Sequence, residues 1–153
     1  MLKSILDSTP VPLLTQVAKF AERRQDVLAG NIANFDTPGY RMRELPQEQF
    51  QRALELAIEQ RQRPPTTTDS ASALLSPGSP AAPTQLLSEL FPESLFQAQS
   101  PLEQDHITFQ DANNRSVEHQ FLQMTKNSLI QQFALEIMRN QFDQLQTVIS
   151  ERV

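Results

Sequence analysis

The chain contains no cysteine and no tryptophan, one tyrosine, and three glycines among 153 residues. Without cysteine there is no disulfide framework and no thiolate metal site, and the redox compartment cannot be read from the sequence. Three glycines beside eleven prolines leave few tight turns, so helices and irregular segments are expected, with little sheet. No apolar run approaches the length needed to cross a membrane. The start, Met1-Leu-Lys-Ser-Ile-Leu-Asp7, has a short apolar patch but no signal-peptide core. The expectation is a protein that is cytosolic or exported without a cleaved signal.

Bases are missing from one region in particular. Between Pro64 and Asp105 there are five acids (Asp69, Glu89, Glu93, Glu103, Asp105) and no Lys or Arg. The net charge of −5 therefore belongs to this segment, and the remaining thirteen acids and thirteen bases balance. No basic patch supports nucleic-acid binding. Catalytic patterns are absent as well. His106 and His119 are the only histidines, and neither has the spacing of a metal pair, a nucleophile motif or a phosphate loop around it. They are expected to be solvated or packing residues. The reading is a non-enzymatic protein with no cofactor, metal or small-molecule substrate.

What the chain does have is a long periodic C-terminal stretch. Steps of four and three from Val117 reach Phe121, Met124, Ser128, Gln131, Leu135, Met138, Phe142, Leu145 and Ile149. Eight of these ten positions are apolar, and the period is that of a helix packed along another helix. A second row, Leu122, Leu129, Phe133, Ile137 and Val148, widens the apolar face. A helix over Ser116–Glu151 would be roughly 50 Å long, with Asn114 or Ser116 as its N-cap. Such a helix needs a partner, because its apolar stripe is unstable in water. Met124 and Met138 on this seam are expected to be packing residues.

The partner is expected at the other end of the chain. From Pro12, well placed in a first helical turn, apolar residues recur at Leu13, Leu14, Val17, Phe20, Ala21, Val27, Leu28 and Ile32. This predicts a helix over 12–33, about 30 Å long, with Glu22 to Asp26 mostly on its outer face. Leu14, Val17, Ala21 and Leu28 are its seam residues. Gly30 inside the helix costs about 1 kcal/mol relative to alanine, which predicts a close helix contact there. Asn34 is placed to cap the helix, since asparagine tolerates the left-handed conformation. Thr37-Pro38-Gly39-Tyr40 then reads as a type II turn.

The middle of the chain carries weaker signals. A short amphipathic helix is expected from Leu45–Glu48 to Pro64-Pro65, with Phe50, Leu54, Ala57 and Ile58 on one stripe. Glu48–Arg52 and Glu59–Arg63 are i,i+4 pairs in the favourable order. Residues 64–105 hold seven of the eleven prolines and read as a long, irregular, mobile acidic segment. Leu86, Leu87, Leu90 and Phe91 could form one docking turn within it. His106–Gln110 alternates and suits a short extended piece. The resulting architecture is mainly α: long N- and C-terminal helices in a coiled-coil-like hairpin, a short middle helix and a long Pro/Ser-rich loop. The divisions are 1–40, 41–63, 64–105 and 106–153, with 1–63 and 106–153 forming one helical core.

Two stretches carry a family resemblance. Leu28-Ala-Gly-Asn-Ile-Ala-Asn-Phe-Asp-Thr-Pro-Gly-Tyr40 resembles the N-terminal signature of the bacterial flagellar axial proteins, the rod and hook subunits. Its signature residues are Asn31, Ala33, Asn34, Thr37, Pro38, Gly39 and Tyr40. Asp111–Phe121 followed by Met124-Thr-Lys-Asn-Ser128 is similar to the start of the C-terminal helix in short rod proteins. The sequence departs from the family pattern at Gly30, Phe35, Ala112 and Arg115. The resemblance implies a structural subunit at the proximal end of the flagellar basal-body rod. Terminal helices of neighbouring copies would pack into a tube around the export channel, with Phe35 and Tyr40 as further contact residues. It also implies delivery by flagellar type III export. The implied neighbours are the rod proteins FlgC and FlgF, the adaptor FliE, the ring protein FliF and the export gate. The alternative reading is a soluble coiled-coil adaptor or an export-chaperone-like binding module, which would have no need of the Thr-Pro-Gly-Tyr turn.

Overall fold

The computed structural model describes residues 9–62, 83–99 and 117–150, with side chains in the middle stretch from Leu87 onward. The described chain is mainly helical: α1 Val11–Ala33, α2 Gln47–Gln62, α3 Pro83–Leu90, a 3-10 turn Glu93–Phe96, and α4 Val117–Ser150. The prolines punctuate as their chemistry requires. Pro12 lies in the first turn of α1 and Pro83 opens α3, where a missing N–H costs no helical hydrogen bond. Pro46 immediately precedes α2.

The chain divides into two compact units, one of residues 1–46 with 96–153 and one of residues 47–95. In the first, α1 and α4 pack against each other. Their direction is set by hydrogen bonds that pair Asn31 with Gln120, Arg24 with Gln123 and Ala21 with Asn127. As numbers fall on α1 they rise on α4, so the hairpin is antiparallel. Leu13, Phe20, Ala21 and Leu28 of α1 are buried, as are Asn127 and Ala134 of α4. Each large apolar side chain sequestered this way contributes about 1.5–3 kcal/mol. Phe20 also meets the edge of Phe96, with ring centroids 6.3 Å apart, a favoured aromatic geometry. Glu44 and Gln99 exchange two backbone N–H···O bonds, each 2.9 Å, as one antiparallel bridge. Leu45 beside the bridge is buried.

In the second unit α2 buries Phe50, Ala53 and Ala57, and Phe50 packs on Phe91 at 5.4 Å between centroids. Leu95 is buried as well. Of the stripe expected on α2, Phe50 and Ala57 face inward and Leu54 is half-buried, whereas Ile58 is exposed and Ala53 takes the inner position. Glu48 and Arg52 lie 3.7 Å apart with both side chains solvated, so the pair adds little stability.

Three expectations are corrected. Residues 64–105 are not one irregular segment: 83–90 is helical, 93–96 is a 3-10 turn and Gln99 pairs with Glu44. The turn expected around Leu86, Leu87, Leu90 and Phe91 falls at α3 and its end, where Phe91 packs on Phe50. Residues 64–82 and 100–105, the extended piece at 106–110 and the N-cap at Asn114 or Ser116 lie outside the described residues. The domain grouping also differs, since α2 sorts with 83–95 rather than with the terminal helices. Finally, a Cβ added at Gly30 would meet nothing within 4 Å, so no close contact among the described residues explains that glycine.

Candidate assembly interface

The turn after α1 is built from two asparagines with different tasks. Asn34 caps the helix from its own end: its Nδ2 donates to the Gly30 carbonyl at 2.8 Å and its backbone N–H to the same oxygen at 3.1 Å. Its φ is −102°, so it uses side-chain hydrogen bonding rather than the left-handed conformation expected of it. Thr37-Pro38-Gly39-Tyr40 closes as predicted. The Tyr40 N–H donates to the Thr37 carbonyl at 3.2 Å, and Gly39 takes φ +75°, the value a type II turn requires at that position.

Asn31 is 1% exposed and holds the returning chain. Its Oδ1 accepts from the Arg43 N–H at 3.0 Å and from the Tyr40 hydroxyl at 3.2 Å. Its Nδ2 donates to the Arg43 carbonyl at 2.7 Å and to Gln120 Oε1 at 3.4 Å. One amide side chain therefore fills both donor and both acceptor positions. It fastens α1, the segment after the turn and α4 together. Tyr40 is committed to this clamp, while Phe35 is half-buried and Thr37, Pro38 and Gly39 are exposed, as is Ala33.

Two further polar groups sit between the long helices. Arg24, only 3% exposed, donates from Nη2 to Glu44 Oε1 at 2.8 Å and to Gln123 Oε1 at 2.9 Å. Its Nε–H has no partner. Asn127, 2% exposed, donates to the Ala21 carbonyl at 2.7 Å and to Gln25 Oε1 at 2.9 Å. Arg24 was expected on the outer face of α1; it occupies an inner position because Glu44 and Gln123 satisfy its charge there.

The seam expected on α4 divides. Val117, Met124 and Met138 are half-buried, and with Gln131 they form one row of the contact with α1, while Leu145 is half-buried further along α4. On the α1 side Ala21 and Leu28 are buried, and Leu14 and Val17 half-buried. The second row facing inward is Gln120, Asn127, Ala134 and Gln141, one position away from the expected Phe121, Ser128, Leu135 and Phe142. Phe121, Leu135, Phe142 and Ile149 are between 46% and 58% exposed. Leu122, Leu129, Ile130, Phe133 and Val148 are exposed too. Nine of the eleven large exposed apolar residues among those described thus lie on α4. Apolar surface concentrated in this way marks an interaction site. No group of three or more potential metal-ligating side chains occurs among the described residues, and no described helix is long and apolar enough to cross a membrane.

A family model for the flagella basal body rod protein matches residues 20–41, the half of α1 that carries Arg24 and Asn31 together with the turn. A flagellar basal body rod protein FlgB from Aeromonas hydrophila is 31% identical over 123 residues, 80% of this chain and 79% of that protein. The chain belongs to the FlgB family of flagellar basal body rod proteins. As a member of that family it is a structural subunit of the rod.

For a FlgB-family protein the residues that sequence reasoning missed are polar ones at core positions: Arg24, Gln120, Gln123 and Asn127. A signal existed, because Gln120, Asn127, Ala134 and Gln141 recur every seven residues. Their small or polar character concealed it beside the more apolar neighbouring row.

Proposed function

We propose that this rod subunit polymerises through its terminal helices. The exposed apolar flank of α4 receives helices of neighbouring subunits, and the assembled helices form the drive shaft around the export channel. The observation that carries this reading is the concentration of exposed large apolar side chains on α4, which has already satisfied its contact with α1 along a different row. Phe121, Leu135, Phe142 and Ile149 recur at multiples of seven residues on that flank, the spacing of a helix–helix seam. Family membership supports the further proposals that the subunit is delivered by flagellar type III export, without a cleaved signal, and works at the proximal end of the rod. Its proposed neighbours are further copies and FlgC, FlgF, FliE, FliF and the export gate. No reaction, cofactor or metal enters this reading.

The test is a pair of substitutions, Leu135→Asp and Phe142→Asp. Each carboxylate would be solvated in the free subunit but buried without a partner in the assembled rod, at a cost of several kcal/mol. Cells with either change should make the protein yet yield no hook–basal bodies on fractionation. Normal motility with both substitutions together would refute the proposed face.

A further inference from the structure

Two competing seams are written on α4. Both share the row Val117, Met124, Gln131, Met138 and Leu145. One adds Gln120, Asn127, Ala134 and Gln141, and the other adds Phe121, Ser128, Leu135, Phe142 and Ile149. Helix geometry places the two seam centres roughly 50° apart around α4, half the angle per residue. Burial of apolar surface alone would select the second, because phenylalanine and leucine gain far more from leaving water than glutamine or asparagine. The structure adopts the first: Ala134 is 1% exposed and its neighbour Leu135 is 49% exposed.

The bonds that favour this rotation are polar. Asn127 reaches the Ala21 carbonyl and Gln25, Gln123 accepts from Arg24, and Gln120 accepts from Asn31. All three α4 residues lie on the side of the helix that the second seam would turn away from α1. Turning α4 would leave Arg24 with Glu44 alone and would strip Asn127 of both partners. Buried polar groups that lose their partners are costly, and a single buried amide is known to set register where two helices meet.

We infer that Gln120, Gln123 and Asn127 are positioning residues that hold α4 in the rotation which keeps Phe121, Leu135 and Phe142 outward, available for assembly. The inference rests on the proposed assembly face, and it adds what keeps that face from folding inward onto α1. The second seam is then the default of the apolar pattern, and the polar ladder is what opposes it.

The absence of cysteine makes the test direct. Ala134→Cys and Leu135→Cys are introduced one at a time into the full chain, and thiol reactivity toward a maleimide is compared. In the otherwise unchanged chain the thiol at 135 should react about tenfold faster than that at 134, because access controls labelling. The same pair is then read in the Gln120→Ala, Gln123→Ala, Asn127→Ala background. Alanine keeps helix propensity, and α1 with its turn is untouched. The expected result is reciprocal: the thiol at 134 becomes reactive and that at 135 becomes protected, with helix content by circular dichroism unchanged. If 134 stays protected and 135 reactive, the ladder does not set the rotation and the inference fails. If both become reactive, the ladder holds the hairpin closed without choosing its rotation, and the inference fails equally. None of these readings depends on polymerisation. An assembly face that proves wrong in the motility assay is therefore distinguishable from a positioning role that proves wrong here.

Discussion

Asn31 illustrates how much one side chain can organise, and how little of that is local. The turn at Thr37–Tyr40 was readable because proline and glycine state their own dihedral angles. The clamp was not, because the Asn31 side chain pairs with Arg43 twelve positions away and with Gln120 eighty-nine positions away. Asn31→Ala should leave the Arg43 backbone groups and the Tyr40 hydroxyl without that partner. A loss of about 1–3 kcal/mol per buried group left unpaired is expected, read as a lower midpoint in thermal or urea unfolding. Gly30→Ala should act in the opposite direction. The site is roomy and helical, so alanine should stabilise the free subunit by about 0.4–1 kcal/mol. If the same variant swims poorly although its unfolding midpoint rises, Gly30 is reserved for a neighbour in the rod; unimpaired motility would remove that role.

At the scale of elements, the bounds of α1, α2 and α4 were legible and the rotation of α4 was not. Periodicity fixes where a helix runs, since apolar residues must return to one side every three or four positions. It cannot distinguish a 3,4 from a 4,3 alternation when both begin on the same row. That choice was made by Arg24 and the α4 amides, whose partners lie on another helix. α3 was legible only as four apolar residues without a partner; Phe50 supplied one. The hairpin also predicts a gradient of protection. With equal rise on both helices, the start of α1 lies level with about residues 137–140 of α4. In the free subunit, amide exchange should be slow from Met124 to Ile137 and faster from Phe142 to Ser150, where α1 no longer runs alongside. Exchange from Phe142 onward should slow in intact rods. A uniformly protected α4 in the free subunit would count against the exposed distal face.

For the molecule as a whole, one small contact within the hairpin unit lies where the chain departs from it and returns. Glu44 and Gln99 exchange both backbone bonds, so the chain leaves the hairpin unit and rejoins it at neighbouring points. Replacing residues 47–95 with a short Gly/Ser linker should therefore preserve the hairpin. Circular dichroism should retain the signal of α1 and α4, and limited proteolysis should leave both helices intact. Loss of helix beyond the deleted segments would show that 47–95 supports the hairpin. Shortening 66–82 alone should change stability little, because closure entropy varies slowly with loop length. The sequence indicated the acidic bias of this region through its missing bases. It gave no sign of the bridge, since a single antiparallel pair leaves no periodic trace.

The ladder between α1 and α4 also has a mechanical meaning. Apolar burial is non-directional, so a shift of one helix past the other by a whole turn can restore much of the buried area in a new register. Hydrogen bonds weaken steeply once their distance and angle are disturbed. A slip of one helical turn, about 5.4 Å, would break the bonds of Asn127, Gln123 and Gln120 together. In a rod assembled as proposed, shear between α1 and α4 would be opposed in each subunit by three directional contacts that an apolar seam alone does not supply.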